Sequence, residues 1–158
     1  MDWRLRRAES ADAAACSLIA GATFLEAFAG ILDGADIVAH VADKSSPANF
    51  AVWANDPASV VTLAEATAGA APVGYSLLTT PDLPVPAEDG DIELKRIYAL
   101  APTHGGGLGS ALMQRAIEDA QALGRKRMLL GVYGGNARAQ RFYAKQGFAL
   151  VGNRRFKV

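Results

Sequence analysis

The sequence predicts an α/β domain, and three observations carry that reading. Short β-rich runs alternate with stretches of helical periodicity along the chain. One run, 127–133, is almost continuously apolar, as a strand buried on both faces requires. Between two strands lies a segment that places four glycines in the five positions 105–109 and then enters a helix. Strand, glycine turn, helix, strand and helix is an α/β order.

Each element has its own signal. Residues 3–9 alternate and read as an edge strand; Ser10 stands as N-cap before an alanine-rich helix reaching about Phe28. Two shorter helices are expected over 33–42 and 47–54. The β-rich runs 59–66 and 73–80, joined by a turn-prone segment, read as an antiparallel hairpin. Residues 81–91 hold three prolines without periodicity and read as a loop, followed by a strand over 92–100. The next helix carries its apolar face on Leu108, Leu112, Ala116, Ala120 and Leu123, and Gly124 ends it. After 127–133 comes a helix over 136–146, capped by Asn136 and ended by Gly147, and then strands at 148–152 and 154–158.

Composition sets the bounds. The 158 residues, 51% hydrophobic and 20% charged, suit one domain spanning 1–158 with a sizeable core. Sixteen basic and sixteen acidic residues cancel, so no electrostatic case exists for a nucleic-acid partner. No apolar run is seen to approach the roughly 18 residues of a membrane span, and the N-terminus lacks the order of a signal peptide. A soluble, cytoplasmic protein is expected. The single cysteine, Cys16, excludes an intrachain disulfide and a cysteine-cluster metal site, and its apolar neighbours make it a buried small hydrophobe. With no His/Cys/Asp grouping at ligand spacing, no metal is expected; His40 is read as a surface residue.

Glycines at a helix start leave main-chain N–H groups open to an anion, with the positive end of the helix dipole behind them. A nucleotide-binding P-loop needs lysine between glycine and serine, and Gly109-Ser110 has none. A dinucleotide turn wants a third glycine where Ser110 stands and an acidic residue where the chain has Tyr133-Gly134-Gly135. A purely structural turn needs one glycine, not four.

The segment His104-Gly105-Gly106-Gly107-Leu108-Gly109 resembles the pyrophosphate-binding signature of the GNAT superfamily of N-acetyltransferases. Two further stretches resemble it in order and spacing: "ELKRIYAL" its central strand, and "NARAQRFYAKQGF" its Asn-x-x-Ala-x-x-Phe-Tyr-x-x-x-Gly-Phe helix and strand. His104 stands where Gln or Arg is usual, and Ala101 where proline is frequent. The resemblance implies the GNAT acyl-CoA N-acyltransferase fold: a mixed, mostly antiparallel sheet of about seven strands with helices on both faces. It implies acetyl-CoA as cosubstrate. Within the superfamily, Glu-Leu-x-Arg-Ile-Tyr before this loop looks most like bacterial polyamine N-acetyltransferases.

Residue roles follow from the resemblance. His104, Gly105, Gly106, Gly107, Leu108, Gly109 and Ser110 would hold the pyrophosphate. The strand edge at Ile97, Tyr98 and Ala99, with Asn136, would hold the pantetheine arm, Tyr98 serving equally as a packing aromatic. Glu93 is the favoured base; a regular strand puts it on the face of Ile97, four residues on, with Arg96 opposite and paired to a structural carboxylate. A glutamate near 4.3 would deprotonate an ammonium through water or with a raised pKa. Tyr143 is the favoured acid for the departing thiolate, or else an aromatic packed with Phe142 and Phe148. Five carboxylates, Asp82, Glu88, Asp89, Asp91 and Glu93, suggest an acidic mouth favouring a small cationic amine. The acceptor could instead be an amino acid, an aminoglycoside or a protein N-terminus, and a non-catalytic acetyl-CoA-binding module is the reading from another class. A homodimer is compatible with the sequence, which does not decide it.

Overall fold

The computed structural model describes residues 1–83, 86–132 and 137–148. Its frame is one sheet in the order β1-β2-β3-β4-β5, formed by β1 (Trp3–Arg7), β2 (Val60–Ala66), β3 (Pro72–Thr79), β4 (Asp91–Ala99) and β5 (Arg127–Leu129). The first four are antiparallel neighbours and β5 pairs parallel to β4, so the sheet is mixed. The central hairpin follows its residue types. β2 is buried along its whole length, and β-branched and large apolar side chains suit a strand covered on both faces.

Helices cover both faces. On one, α1 (Ala13–Phe28) and α3 (Pro47–Asn55) pack Cys16, Ile19 and Phe50 against Val61, Leu63, Tyr75 and Leu77. On the other, α4 (Leu108–Ala122) packs Met113, Ala116 and Ala120 against Val60, Leu78, Ile92 and Leu94. α2 (Gly34–Lys44) follows α1, and α5 (Ala137–Lys145) follows β5. The Ser46 hydroxyl accepts the Asn49 N–H at 3.1 Å and Pro47 opens α3, a regular helix start.

Several expectations are corrected. Ser10 does not cap α1: a 3-10 turn, Ser10–Asp12, precedes it, with Glu9 as cap and the Asp12 carboxylate accepting the Glu9 N–H at 2.8 Å. Arg6 fixes this corner, since it also donates to Asp12 and to Glu65 on β2. The stretch Ser10–Phe28 is long and apolar enough, by length and composition, to cross a membrane, with mean hydropathy 1.3. That overturns the expectation that no run comes near such a length, although the stripe Cys16, Ile19, Ala20 and Thr23 lies in the core. β5 is three residues rather than seven and runs from exposed to buried, because only Asp91, Ile92 and Glu93 of β4 pair with it. Among the described residues the sheet therefore has five strands, not about seven. The expected strands at 148–152 and 154–158, except Phe148, and the cap at Asn136 lie outside the described residues.

Candidate active site

The geometry of the site begins with one extra residue in β4. β3 pairs Leu77 with Arg96 but Leu78 with Leu94, a bulge that leaves Lys95 unmatched. Paired residues share a face of the sheet, so Glu93 (opposite Thr79), Arg96 and Tyr98 (opposite Tyr75) share the α1 face. Leu94 and Ile97 join the α4 face, where both lie in one apolar cluster. Glu93 and Ile97 are thus on opposite faces, and Arg96 is on the face of Glu93; both expectations are reversed. A strand without the bulge would have obeyed them.

Among the described residues, no strand pairs with the β4 edge that faces β5 beyond Glu93, and that edge is open. Parallel pairing ends at Glu93↔Leu129, while β3 stays paired with β4 as far as Ala99. The Leu100 N–H donates to the Val73 carbonyl at 2.9 Å on the β3 side. Main-chain groups alternate along a strand, so those of Tyr98 face β3 and those of Ile97 and Ala99 face the open edge. The Ala99 carbonyl on that edge takes the His104 Nε2–H at 2.9 Å.

The glycine segment closes the other side. His104 and Gly106 donate their N–H groups to Ala101 and Thr103. Among the described residues, the N–H groups of Gly105, Gly107, Leu108, Gly109 and Ser110 meet no acceptor, and the helical ladder starts with Ala111 donating to Gly107. Gly105 and Gly107 hold φ of +85° and +83°, which glycine adopts freely, and a Cβ at either would point into open space. Leu108 and Leu112, fully buried on the sheet, fix the direction of this helix start.

Tyr143 on α5 packs edge-on against Phe142 and Phe148, at centroid distances of 5.5 and 6.0 Å, and joins the cluster that contains Ile97. Burial first, and the Tyr98 phenol second, push its phenol up to about 12. Tyr98 stacks on Tyr75 at 6.1 Å and is raised by burial, which makes it a packing aromatic of the α1 face. Glu93 is 4% exposed, and its Oε1 accepts the Asp82 N–H at 2.7 Å. Its face separates it from Ile97 and from the cluster that holds Tyr143.

The acidic mouth is smaller than expected. Asp91 is buried and held by Arg127 through two bonds of 2.8 and 2.7 Å, and Asp82 lies 3.7 Å from Lys95. Among the described residues Arg96 has no carboxylate partner: it donates to Ser45 Oγ at 2.8 Å and the Lys44 carbonyl at 2.9 Å. It also lies over the rings of Trp53 and Phe50, 5.1 and 5.9 Å from their centroids. His40 is not a free surface residue; it stacks on Phe24 at 4.2 Å, and burial, then Arg96 and Lys44, lower its pKa. Cys16 is buried as expected, and burial pushes its thiol up to about 11. Sequence reasoning missed Glu26, whose carboxylate accepts the Ala101 N–H at 3.1 Å. Its signal was the helical spacing from Cys16 through Ile19 and Thr23.

Free amides at a helix start can hold an anion, and an open strand edge can take an extended amide-bearing chain as one more strand. The profile of the Acetyltransferase (GNAT) family matches residues 28–148. A Mycobacterium tuberculosis protein named as an uncharacterized N-acetyltransferase is 35% identical over 147 residues, 93% of this chain and 89% of that protein. The Mycobacterium bovis protein of the same kind matches equally. Among solved structures, the PaiA N-acetyltransferase of Thermoplasma acidophilum in complex with coenzyme A superposes with a TM-score of 0.82. It is 20% identical, over 98% of this chain and 94% of that one. An aminoglycoside N-acetyltransferase in complex with CoA gives 0.72 at 13% identity, over 99% and 94%. These structural likenesses establish the fold; the matched profile and the mycobacterial relatives establish that this chain belongs to the GNAT family of N-acetyltransferases.

Proposed function

We propose that the chain moves the acetyl group of acetyl-CoA to the primary amine of a small cationic acceptor of the polyamine kind. The observation that carries the reading is the meeting of two unsatisfied main-chain surfaces. The five free amides from Gly105 to Ser110 stand at one end of the open β4 edge. The fit to a pyrophosphate is good, since both positive-φ glycines lie where a side chain would fill the space before the amides. When bound, acetyl-CoA supplies the acetyl thioester.

The roles of the chain's own residues follow. The amides of Gly105, Gly107, Leu108, Gly109 and Ser110 hold the pyrophosphate, with His104 and Gly106 shaping the turn through their bonds to Ala99 and Thr103. The outward N–H groups of Ile97 and Ala99 bind the pantetheine amides, and one of them polarises the thioester oxygen. Asn136, by the resemblance, adds a contact to the same arm. Tyr143, in the apolar cluster that also takes in Ile97, keeps a proton at Oη for the departing sulfur. Glu93 takes the proton of the ammonium from the α1 face, through water, because its carboxylate already holds the Asp82 N–H. Glu88 lies 4.0 Å from the Arg127 guanidinium, so the exposed Asp89 is left to attract a cation.

The test is thiol release across an acceptor panel of spermidine, 1,4-diaminobutane, a free amino acid, an aminoglycoside and a peptide N-terminus. The polyamines should be the best acceptors by kcat/KM. Turnover confined to the amino acid or the peptide overturns the cationic-acceptor reading. Coenzyme A binding without turnover of any amine overturns catalysis.

A further inference from the structure

The buried stripe of α1 is Cys16, Ile19, Ala20 and Thr23. Helical spacing carries it on to Glu26, in the last turn, where an apolar residue would continue the pattern. A carboxylate there is unfavourable twice over. It interrupts an apolar stripe, and it sits at the negative end of the helix dipole. No cation compensates: among the described residues no Lys, Arg or His forms an ion pair with Glu26. Instead its Oε1 accepts the Ala101 N–H at 3.1 Å, and the side chain stays exposed.

That bond fixes where the charge stands. Ala101 opens the 3-10 turn Ala101–Thr103, which joins the end of β4 to the glycine segment. Glu26 is therefore anchored just past the open edge at Ile97 and Ala99, on the sheet face that also carries Glu93. The two carboxylates bracket β4: Glu93 near the end that β5 covers, Glu26 beyond the end it leaves open. From Ile97 to Ala101 the chain covers at most about 13 Å, a span that an extended polyamine can bridge.

We propose that Glu26 binds the second, non-reacting ammonium of the acceptor and so selects amines with two charges. This rests on the cationic-acceptor reading above. Oε1, fixed by the backbone, leaves Oε2 to receive the ammonium, and the helix-end placement keeps the carboxylate unpaired until the acceptor arrives.

The experiment compares wild type with Glu26→Gln, whose amide oxygen can still accept the Ala101 N–H. Acceptors are 1,8-diaminooctane, long enough to reach from the open edge to Glu26, and 1-aminooctane, which lacks the second ammonium. The expected result is a KM for the diamine raised roughly tenfold, the scale of one charge-assisted hydrogen bond at an exposed site. The KM for 1-aminooctane and for acetyl-CoA should stay within about twofold of wild type. Equal shifts for both amines, no shift for either, or a matching rise for acetyl-CoA would overturn the role of Glu26. Each of those leaves the cationic-acceptor reading intact if wild type still prefers the diamine. Wild type without that preference overturns the reading and the Glu26 assignment together.

Discussion

Glu93 and Ile97 project from opposite faces of the sheet, although four residues apart on one strand. The extra residue Lys95 between them inverts the alternation, and the consequence is a division of labour across β4. Ile97 and Tyr143 share the apolar cluster of the α4 face, while Glu93, Arg96 and the α1 helix stand on the other. A donor held along the edge and an amine arriving from the α1 side would meet at β4 without competing for the same surface.

This arrangement makes Glu93→Gln informative. Glutamine keeps the volume and can still accept the Asp82 N–H, so stability should change little. If Glu93 takes the ammonium proton through water, the rate should fall most near pH 7, where a primary amine with a pKa near 10.4 is almost wholly protonated. As pH rises toward that value free amine accumulates, and the variant should approach wild type. A pH–rate profile from 7 to 10 checks this. A defect constant across the range means that Glu93 positions the acceptor rather than deprotonating it.

Gly107→Val separates strain from ligand exclusion. Valine at φ +83° costs roughly 1–2 kcal/mol of stability, but none of the described residues lies within 4 Å of its Cβ. Gly30 has the same φ and equal space at a turn after α1, so Gly30→Val is a control with the same strain. Both variants should melt somewhat earlier. Only Gly107→Val should lose coenzyme A affinity by a large factor in calorimetry. Equal affinities in the two variants would remove the pyrophosphate assignment.

How much of this was legible in the sequence depended on the range of the forces involved. The hairpin of β2 and β3 and the start of α4 rest on local chemistry: β-branched runs, and Leu108, Leu112 and Ala116 on one helical face. The bulge does not, since neither glycine nor proline marks Lys95 and only pairing with β3 creates it. Arg96 was read as a carboxylate partner because charge is what a sequence displays. Its actual partners, Ser45 and the Lys44 carbonyl, are 51 and 52 residues distant. The acidic loop misled for the same reason. Asp91 belongs to Arg127, 36 residues downstream, and is not free to attract a substrate. Glu26 was the one missed residue with a local signal, an acidic break in an apolar stripe.

Two part-buried ion pairs, Arg127 with Asp91 and Arg6 with Asp12, set the acid limit of the fold. Hydrogen bonds from Arg127, then the Glu88 N–H, lower Asp91 from 3.8 to about 2; Arg6 does the same for Asp12. A carboxylate with a depressed folded pKa stabilises above its unfolded value and loses that contribution as pH falls through the folded one. The melting temperature should therefore hold down to about pH 5 and drop between about pH 4 and 2. Asp91→Asn should melt several degrees earlier at pH 7, with a shallower drop on acidification. A variant whose acid profile parallels wild type would show that Arg127 holds Asp91 no more tightly than water does.

Tyr143→Phe keeps the edge-on packing with Phe142 and Phe148 and removes only the hydroxyl, so the melting temperature should be nearly unchanged. If the phenol delivers a proton to the departing sulfur, turnover should fall by about 10²–10⁴-fold when chemistry limits the rate. Its raised pKa adds a second expectation. The active form is the protonated one, and at about 12 the phenol stays protonated throughout the working range. Wild-type kcat should then show no loss on the alkaline side from this group below about pH 11. An ordinary tyrosine, near 10, would begin to lose its proton well before that. An alkaline limb near pH 9–10 that vanishes in Tyr143→Phe would place the phenol in water rather than in the apolar cluster with Ile97. A loss of turnover below threefold with chemistry limiting would make Tyr143 a packing residue of that cluster.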